Sequence, residues 1–184
     1  MKKIASALCA ASMLALAACA GNNPATAPLS DADAAFVQKA SAINELDIAI
    51  GNLASTNSKN QQVTQFADTL VRDHTDSQTR LTGIATSHNV TLATALNADD
   101  QKIVDDLSAK KGTAFDRAFA STVISGHQDA ANVYSDEVAS TTMEDLKSYA
   151  SDMATDVQTH LTEAHKLSAP KATGRRRGGH RRHK

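Results

Sequence analysis

The feature that most constrains the fold of this chain is a seven-residue repeat between about residues 59 and 87. Positions separated alternately by four and three residues carry the side chains expected inside a helical bundle: Val63, Ala67, Leu70, His74, Ser77, Leu81 and Ile84. This spacing returns to one face of an α-helix over its whole length. The repeat therefore predicts a long helix that packs lengthwise against other helices.

Three more long helices and one short helix are predicted around this segment. Ser30 is a good N-cap followed by the acidic residues Asp31 and Asp33, so the first helix is expected to begin there and to end near residue 54. The remaining helices are predicted over about 98–110, 113–140 and 143–167. Two short links and a longer crossover at 88–112 join the long helices. The sequence thus predicts an all-α four-helix bundle over residues 30–168, with a short extra helix in the crossover.

The amino terminus has the pattern of a secretory leader that ends on a cysteine. Two lysines precede an uncharged, mostly apolar run from Ile4 to Ala18, which is shorter than the roughly 20 residues needed to span a bilayer. Leu16-Ala17-Ala18-Cys19 resembles the lipobox of bacterial lipoproteins, in which Cys19 carries the lipid. We therefore predict a signal peptide over residues 1–18, a flexible tether over 19–29, and membrane attachment through the lipid.

The resemblance to lipoproteins extends to the residue that follows the cysteine. Ala20, with no Asp in that position, resembles the sorting signal for the outer membrane. The protein is therefore predicted to be located in the cell envelope, as an outer-membrane lipoprotein that faces the periplasm. Cys9 would leave with the leader and Cys19 would be lipidated, so no thiol remains for a disulfide, a thiolate metal site or a cysteine nucleophile.

Charge divides the chain into an acidic body and a basic tail. Residues 31–169 contain 20 acidic and 10 basic residues, whereas residues 170–184 contain seven basic residues and no acidic one. The tail 169–184 is predicted to be disordered and to bind an anionic envelope polymer through Arg175, Arg176, Arg177, Arg181 and Arg182. The chain has no Trp, two Tyr and four Phe, which argues against specific nucleic-acid binding by stacking.

Histidines occupy the predicted inner faces of three different long helices: His74, His127 and His160. A buried imidazole without hydrogen-bond partners destabilises a protein by about 1–3 kcal/mol, so it is rarely placed in a core for packing alone. Bundles build ligand sites from side chains on facing helices. With Glu45 of the first helix, the three histidines form a predicted site for a divalent metal such as Zn, Cu or Fe.

Two aspartates are candidates to hydrogen-bond the histidine ligands. Asp73 precedes His74, and Asp156 lies four residues before His160 and so shares its helix face. The alternative to a metal site is a polar layer in which the histidines and Glu45 fix the register of the helices. His88 and His165, at helix ends, are expected to be solvated.

Several short segments resemble a bacterial family catalogued as domain of unknown function 4142. The resemblance covers about residues 35–168 and rests on these segments: Phe36, Glu45 with Gly51, Leu53-Ala54, Phe66-Ala67, Asp73-His74, Leu107, Gly112, Phe115-Asp116-Arg117-Ala118-Phe119, His127 and His160-Leu161. It implies a ferritin-like four-helix bundle in an exported protein.

Catalytic motifs are missing from the sequence. A di-iron carboxylate site requires Glu-x-x-His on two helices, but Val71 and Val157 stand three residues before His74 and His160. No phosphate-binding loop, nucleophile elbow or His-Glu-x-x-His pattern is present. We therefore expect a binding or stress-protection protein of the envelope rather than an enzyme. A metal-dependent hydrolase and a structural scaffold without metal are the alternatives.

Overall fold

The computed structural model describes residues 27–169. The predicted signal peptide, Cys19, most of the tether and the arginines of the tail lie outside the described residues. Within them the chain forms six helices and no strand: α1 (Asp31–Asn52), α2 (Ala54–Asn57), α3 (Gln61–Ser87), α4 (Ala98–Ser108), α5 (Thr113–Ser140) and α6 (Glu144–Ser168). This confirms the predicted all-α bundle with a short helix in the crossover. No helix among the described residues is long and apolar enough to cross a membrane.

Side-chain caps fix where three of the helices begin. The hydroxyl of Ser30 accepts a hydrogen bond from the Asp33 amide at 3.1 Å, as the sequence predicted. Asn60 caps α3 and Asn97 caps α4 in the same way. The single turn α2 follows α1 directly and carries the first helix to the link before α3.

The two ends of the bundle are held by different contacts. At the end where the chain enters α1, the ring of His88, just after α3, bonds the Ala27 carbonyl and Asp145 of α6. At the opposite end, the buried side-chain amide of Asn57 donates to the carbonyls of Ser108 and Lys110. The Asn57 carbonyl also accepts from the Gly112 amide at 2.7 Å. The crossover 88–112 therefore runs the length of the bundle and returns the chain to the end where α3 began.

A polar layer divides the hydrophobic core into two clusters. The cluster near the entry end contains the two tyrosines with Phe36 and Leu81, and the cluster near the other end contains Phe66, Phe115 and Phe119. His74 and His127 at the middle of α3 and α5, and His160 about one turn past the middle of α6, lie between the clusters. The fold thus places three imidazoles at one height.

His88 departs from the prediction that it is solvated. Only 3% of the residue is exposed, and its ring bonds the Ala27 carbonyl at 2.7 Å and the Asp145 carboxylate at 2.8 Å. Burial disfavours the charged ring, but these two bonds and the charges of Asp145 and Asp33 raise the pKa of His88. The last residues of the predicted tether are therefore attached to the bundle through this ring. His165 is exposed, as expected.

Gly51 allows α1 and α3 to approach closely. A Cβ atom at this position would lie 2.6 Å from Cγ2 of Val71 and 3.2 Å from the carbonyl oxygen of Ala67. The first contact is with a side chain that cannot retreat far from a packed interface, and the second is with the backbone. Gly83, by contrast, has no atom within 4 Å of the equivalent position.

We expect Gly51→Ala to destabilise the protein by about 1–3 kcal/mol, because the added methyl group forces the two helices apart. Gly83→Ala is the matched control and should stabilise the protein by roughly 0.5–1 kcal/mol through its higher helix propensity. Urea unfolding followed by circular dichroism measures both changes. Equal effects of the two substitutions would contradict the close approach at Gly51.

Candidate metal centre

The three histidines predicted as metal ligands form one cluster in the core. Their ring centroids are 5.2–5.5 Å apart, and each residue is at most 2% exposed. One potential ligand atom from each of His74, His127 and His160 lies within 4.8 Å of the other two. Three separate helices therefore bring their imidazoles together at one height, and whether they bind a metal remains a prediction.

Asn44 of α1 orients the ring of His74. The Asn44 side-chain NH2 donates to Gln78 and to the Tyr149 hydroxyl, both at 3.1 Å, so its oxygen faces His74 Nδ1 at 2.9 Å. An amide oxygen only accepts, and His74 Nδ1 must therefore carry the proton. The other nitrogen, Nε2, is left with its lone pair and has no hydrogen-bond partner in the protein.

Asp73 orients the ring of His160 in a similar way. The Asp73 carboxylate lies 3.1 Å from His160 Nε2, so this nitrogen donates, and an uncharged His160 ring has its lone pair at Nδ1. His127 Nε2 donates to that lone pair at 3.1 Å. A histidine that ligates a metal typically donates its other N–H to a carboxylate or amide oxygen, and both His74 and His160 show this arrangement.

The carboxylate next to the histidines belongs to Asp47 and not to Glu45. Asp47 Oδ2 is 3.5 Å from His74 Nε2, and Asp47 Oδ1 is 4.0 Å from His127 Nδ1. Glu45 is partly exposed and lines a groove with Gln78 and Thr82 on the outside of α1 and α3. The prediction that Glu45 joins the histidines is therefore wrong. Glu45 and Asp47 are two residues apart on a helix, so their side chains point about 200° apart around the helix axis.

The error at Glu45 has a clear origin in the sequence pattern. The buried face of α1 has large apolar residues at Phe36 and Ile50, but small and polar side chains are buried between them. One line of buried positions runs through Val37, Ala40, Asn44, Asp47 and Gly51. These positions follow the same four–three spacing as the repeat in α3. Extending that repeat into α1, whatever the polarity of its residues, would have identified Asn44 and Asp47.

The two aspartates predicted to support the ligands differ in the structure. Asp73 makes the predicted type of contact, but with His160 of another helix and not with its neighbour His74. Asp156 is exposed and forms no hydrogen bond with His160; it lines a pocket that also contains Asp73. Of the predicted supporting residues, only Asp73 contacts a candidate ligand.

Burial controls the protonation of the cluster. It lowers the pKa of His74 well below its usual value, and the neighbouring rings of His127 and His160 add to this effect. Burial also lowers the pKa of His127 to about 3, again with a contribution from His160. The same loss of solvation, with a smaller contribution from Asp100, raises the pKa of Asp47 to about 8. At neutral pH the core therefore holds the uncharged imidazoles of His74 and His127 beside the carboxylic acid of Asp47.

The donor set fits a first-row transition metal. For an ion to bind between these two rings, the proton of His127 must move from Nε2 to Nδ1. The two freed nitrogens, 3.1 Å apart, would then lie close to the about 3.3 Å that separates two nitrogens bound to one tetrahedral ion at about 2.0–2.1 Å. Neutral imidazoles suit Zn, Cu, Fe and Ni, while a carboxylate supplies negative charge. A cation that displaced the proton of Asp47 would be partly neutralised inside the core. Asp47, which lies 3.5 Å from His74 Nε2 and 4.0 Å from His127 Nδ1, is thus the candidate fourth ligand beside the group of three histidines.

We expect the stability of the metal-free protein to depend on pH through Asp47. Its folded pKa of about 8 exceeds the usual 3.8, so the folded state holds a proton that the unfolded chain releases between these values. Wild-type stability should fall in this interval as pH rises, relative to Asp47→Asn, by roughly 3–5 kcal/mol overall. Denaturant unfolding in EDTA from pH 4 to 8 measures the difference.

The histidines have the opposite effect on the pH dependence of stability, which they make rise with pH. Because the pKa values of His74 and His127 are lowered, their contribution is complete above about pH 6.5 and is lost as the pH falls below it. This loss should be present in both wild type and Asp47→Asn and therefore cancels in the comparison. A pH-independent difference between the two proteins would contradict the burial of an ionisable Asp47.

Solved structures with similar folds include two metal-bound forms of one protein, CopM. The crystal structure of a DUF305 fragment from Deinococcus radiodurans has a TM-score of 0.69 at 11% identity and covers 77% of this chain and 97% of its own. CopM in the Cu(II)-bound form has a TM-score of 0.64 at 15% identity, covering 74% of this chain and 95% of its own. CopM in the Ag-bound form has a TM-score of 0.61 at 16% identity, and the match covers 73% of this chain and 93% of the CopM chain. At these identities the likeness shows the helical-bundle fold.

Sequence comparison identifies a family. No curated protein matches the chain. Residues 18–167 match a family described as "Domain of unknown function (DUF4142)", and this match includes every histidine and aspartate of the cluster. The chain therefore belongs to the DUF4142 family, as its Asp73-His74 and Phe115-Asp116-Arg117 segments indicated.

Proposed function

We propose that this protein binds a divalent transition-metal ion in the core of its bundle, through His74, His127, His160 and Asp47. Cu(II) is the ion that we expect to bind most tightly, since affinities of nitrogen and oxygen sites for divalent first-row metals peak at copper. The role that follows is sequestration of the metal in the cell envelope. This is the binding or stress-protection function predicted from the sequence, with Asp47 in place of Glu45.

One observation carries the proposal: two buried histidines present lone pairs inward while their other nitrogens are held from outside. His74 is held by Asn44 and His160 by Asp73. In addition, His74 Nε2 and His127 Nδ1 have no hydrogen-bond partner in the protein, and both face Asp47. A layer that served only to fix helix register would be expected to satisfy these atoms, since each one destabilises the fold by about 1–3 kcal/mol.

Burial favours binding over hydrolysis. A catalytic metal keeps an open position that substrate can reach. Here the three imidazoles are at most 2% exposed and Asp47 is 6% exposed. The centre therefore supports retention of an ion better than turnover of a substrate. The Cu(II)-bound and Ag-bound forms of CopM, which has a similar fold, support the proposal that this protein binds such an ion.

We expect purified protein, loaded with Cu²⁺ or Zn²⁺ and desalted, to retain about one equivalent of metal and to melt at a lower temperature in EDTA. His74→Ala should weaken binding more than about 100-fold because it removes a ligand. Asn44→Ala and Asp73→Asn should each weaken it about 10–100-fold, because they remove the groups that orient a ligand. Elemental analysis and chelator competition measure these changes.

Glu45→Ala is the matched control for these variants. It removes a carboxylate two residues from Asp47 that does not touch the cluster, and it should leave metal content and affinity unchanged. A wild-type protein that stays empty in excess Cu²⁺ and Zn²⁺ would overturn the proposed function. The histidines would then be a structural polar layer in a scaffold protein.

We further propose that lipid on Cys19 anchors the bundle to the outer membrane and that the tail engages an anionic envelope polymer. The lipobox-like Leu16-Ala17-Ala18-Cys19 supports the anchor, and Ala20 supports sorting to the outer membrane. The seven basic residues within 170–184, without an acidic one, support binding of a polyanion.

Cys19→Ser is expected to abolish incorporation of labelled palmitate and to release the protein from the membrane fraction. The reason is that the acyl chains bound to this residue would supply most of the membrane affinity. Cys9→Ser is the control, since Cys9 lies inside the leader and should not change labelling. Continued labelling of Cys19→Ser would contradict the lipoprotein assignment.

A further inference from the structure

A small pocket opens at the surface between α3 and α6, outside the histidine cluster. Its volume is about 290 Å³, and its wall contains four carboxylates: Asp73, Asp76, Asp152 and Asp156. Two arginines oppose these four charges: Arg80, in the wall, bonds Asp152 at 2.6 Å, and Arg72, next to the wall, pairs with Asp73 at 2.9 Å. The pocket therefore has an excess of negative charge. Clefts lined by charge of one sign concentrate the field and the oppositely charged ion.

Hydrogen bonds connect this pocket to two of the three histidines. Asp73, in the pocket wall, bonds His160 Nε2 directly at 3.1 Å. Tyr149, also in the wall, accepts from Asn44, and Asn44 in turn bonds His74. Asp73 is thus both one of the four carboxylates and the direct contact to the cluster. On the second route Asn44 alone separates the wall residue Tyr149 from His74 Nδ1, whereas the unpartnered Nε2 of His74 faces Asp47 of α1.

The other surfaces next to the cluster have fewer carboxylates that could attract a cation. The groove on α1 and α3 reaches Asn44 through Gln78, but Glu45 is the only charged residue in its wall. On the α1 side the cluster is covered by Asp47, which is 6% exposed. Only the pocket between α3 and α6, among these approaches, combines several carboxylates with a direct contact to a histidine.

We propose that this pocket is the port through which a metal cation enters and leaves the histidine cluster. The inference rests on the proposed metal-binding function and adds a route to it. Asp76, Asp152 and Asp156 attract the cation, and Asp73 lies between them and His160. Arg80 opposes entry, because its guanidinium group lies over the Tyr149 ring at 5.6 Å and places positive charge in the mouth of the pocket.

The rate of copper uptake tests the port separately from the site. Purified full-length protein is mixed with Cu²⁺ in a stopped-flow instrument, and uptake is followed by absorbance at several salt concentrations. The combined variant Asp76→Asn, Asp152→Asn and Asp156→Asn should take up Cu²⁺ at least about 10-fold more slowly than wild type at low salt, and should still bind one equivalent. The difference should shrink as salt screens the carboxylates.

The matched control removes the same charge elsewhere. Asp68→Asn, Asp129→Asn and Asp136→Asn change three exposed carboxylates that do not line the pocket, and uptake should stay within about twofold of wild type. Arg80→Gln should have the opposite effect and accelerate uptake by at least about threefold. It provides a second test if the triple pocket variant does not fold.

The results of these experiments distinguish a failure of the proposed port from a failure of the proposed metal site. Slow uptake in the pocket variant together with fast uptake in Arg80→Gln supports the port. A wild-type protein that fills normally, with pocket and control variants equally fast or equally slowed, overturns the port and leaves the site intact. A wild-type protein that takes up no copper overturns the proposed function, and the port with it.

Discussion

The layer of polar side chains across the middle of the core is the constraint on which the other features depend. Three imidazoles and a carboxyl group lie between two hydrophobic clusters, where water cannot solvate them. Each helix must therefore keep its register, because a slip of one turn would put a histidine among the phenylalanines or tyrosines. The residues that bond the layer from outside, Asn44 and Asp73, hold both the register and the ring orientations.

The helices were predictable from the sequence because periodicity and capping are local properties. The four–three repeat of α3 and the cap at Ser30 depend on residues a few positions apart, and the structure places these helices within a few residues of the predicted bounds. The histidines were predictable as interior residues for the same reason. Their common height was not, because it depends on the lengths of the links and on how the helices slide against one another.

The residues missed in the sequence show which interactions a local pattern cannot reveal. Asp47 lies on the buried face of α1 among small and polar residues, Ala40, Ser41 and Asn44, that separate the apolar Phe36 and Val37 from Ile50. His88 stands at a helix end, where exposure is the usual expectation. It is buried because the chain before α1 folds back to bond its ring, a contact between residues 61 positions apart. Such pairings become visible only once the topology is known.

The crossover between α3 and α5 also determines where the two termini leave the bundle. The chain traverses the long axis five times, four times as a long helix and once through the crossover. An odd number of passes puts residue 30 and residue 169 at opposite poles, whereas four helices joined by hairpins alone would return both to one pole. A helix of 25 residues such as α6 is about 38 Å long. The bundle is therefore a spacer that holds whatever is attached before residue 30 about that distance from the point where the basic segment begins.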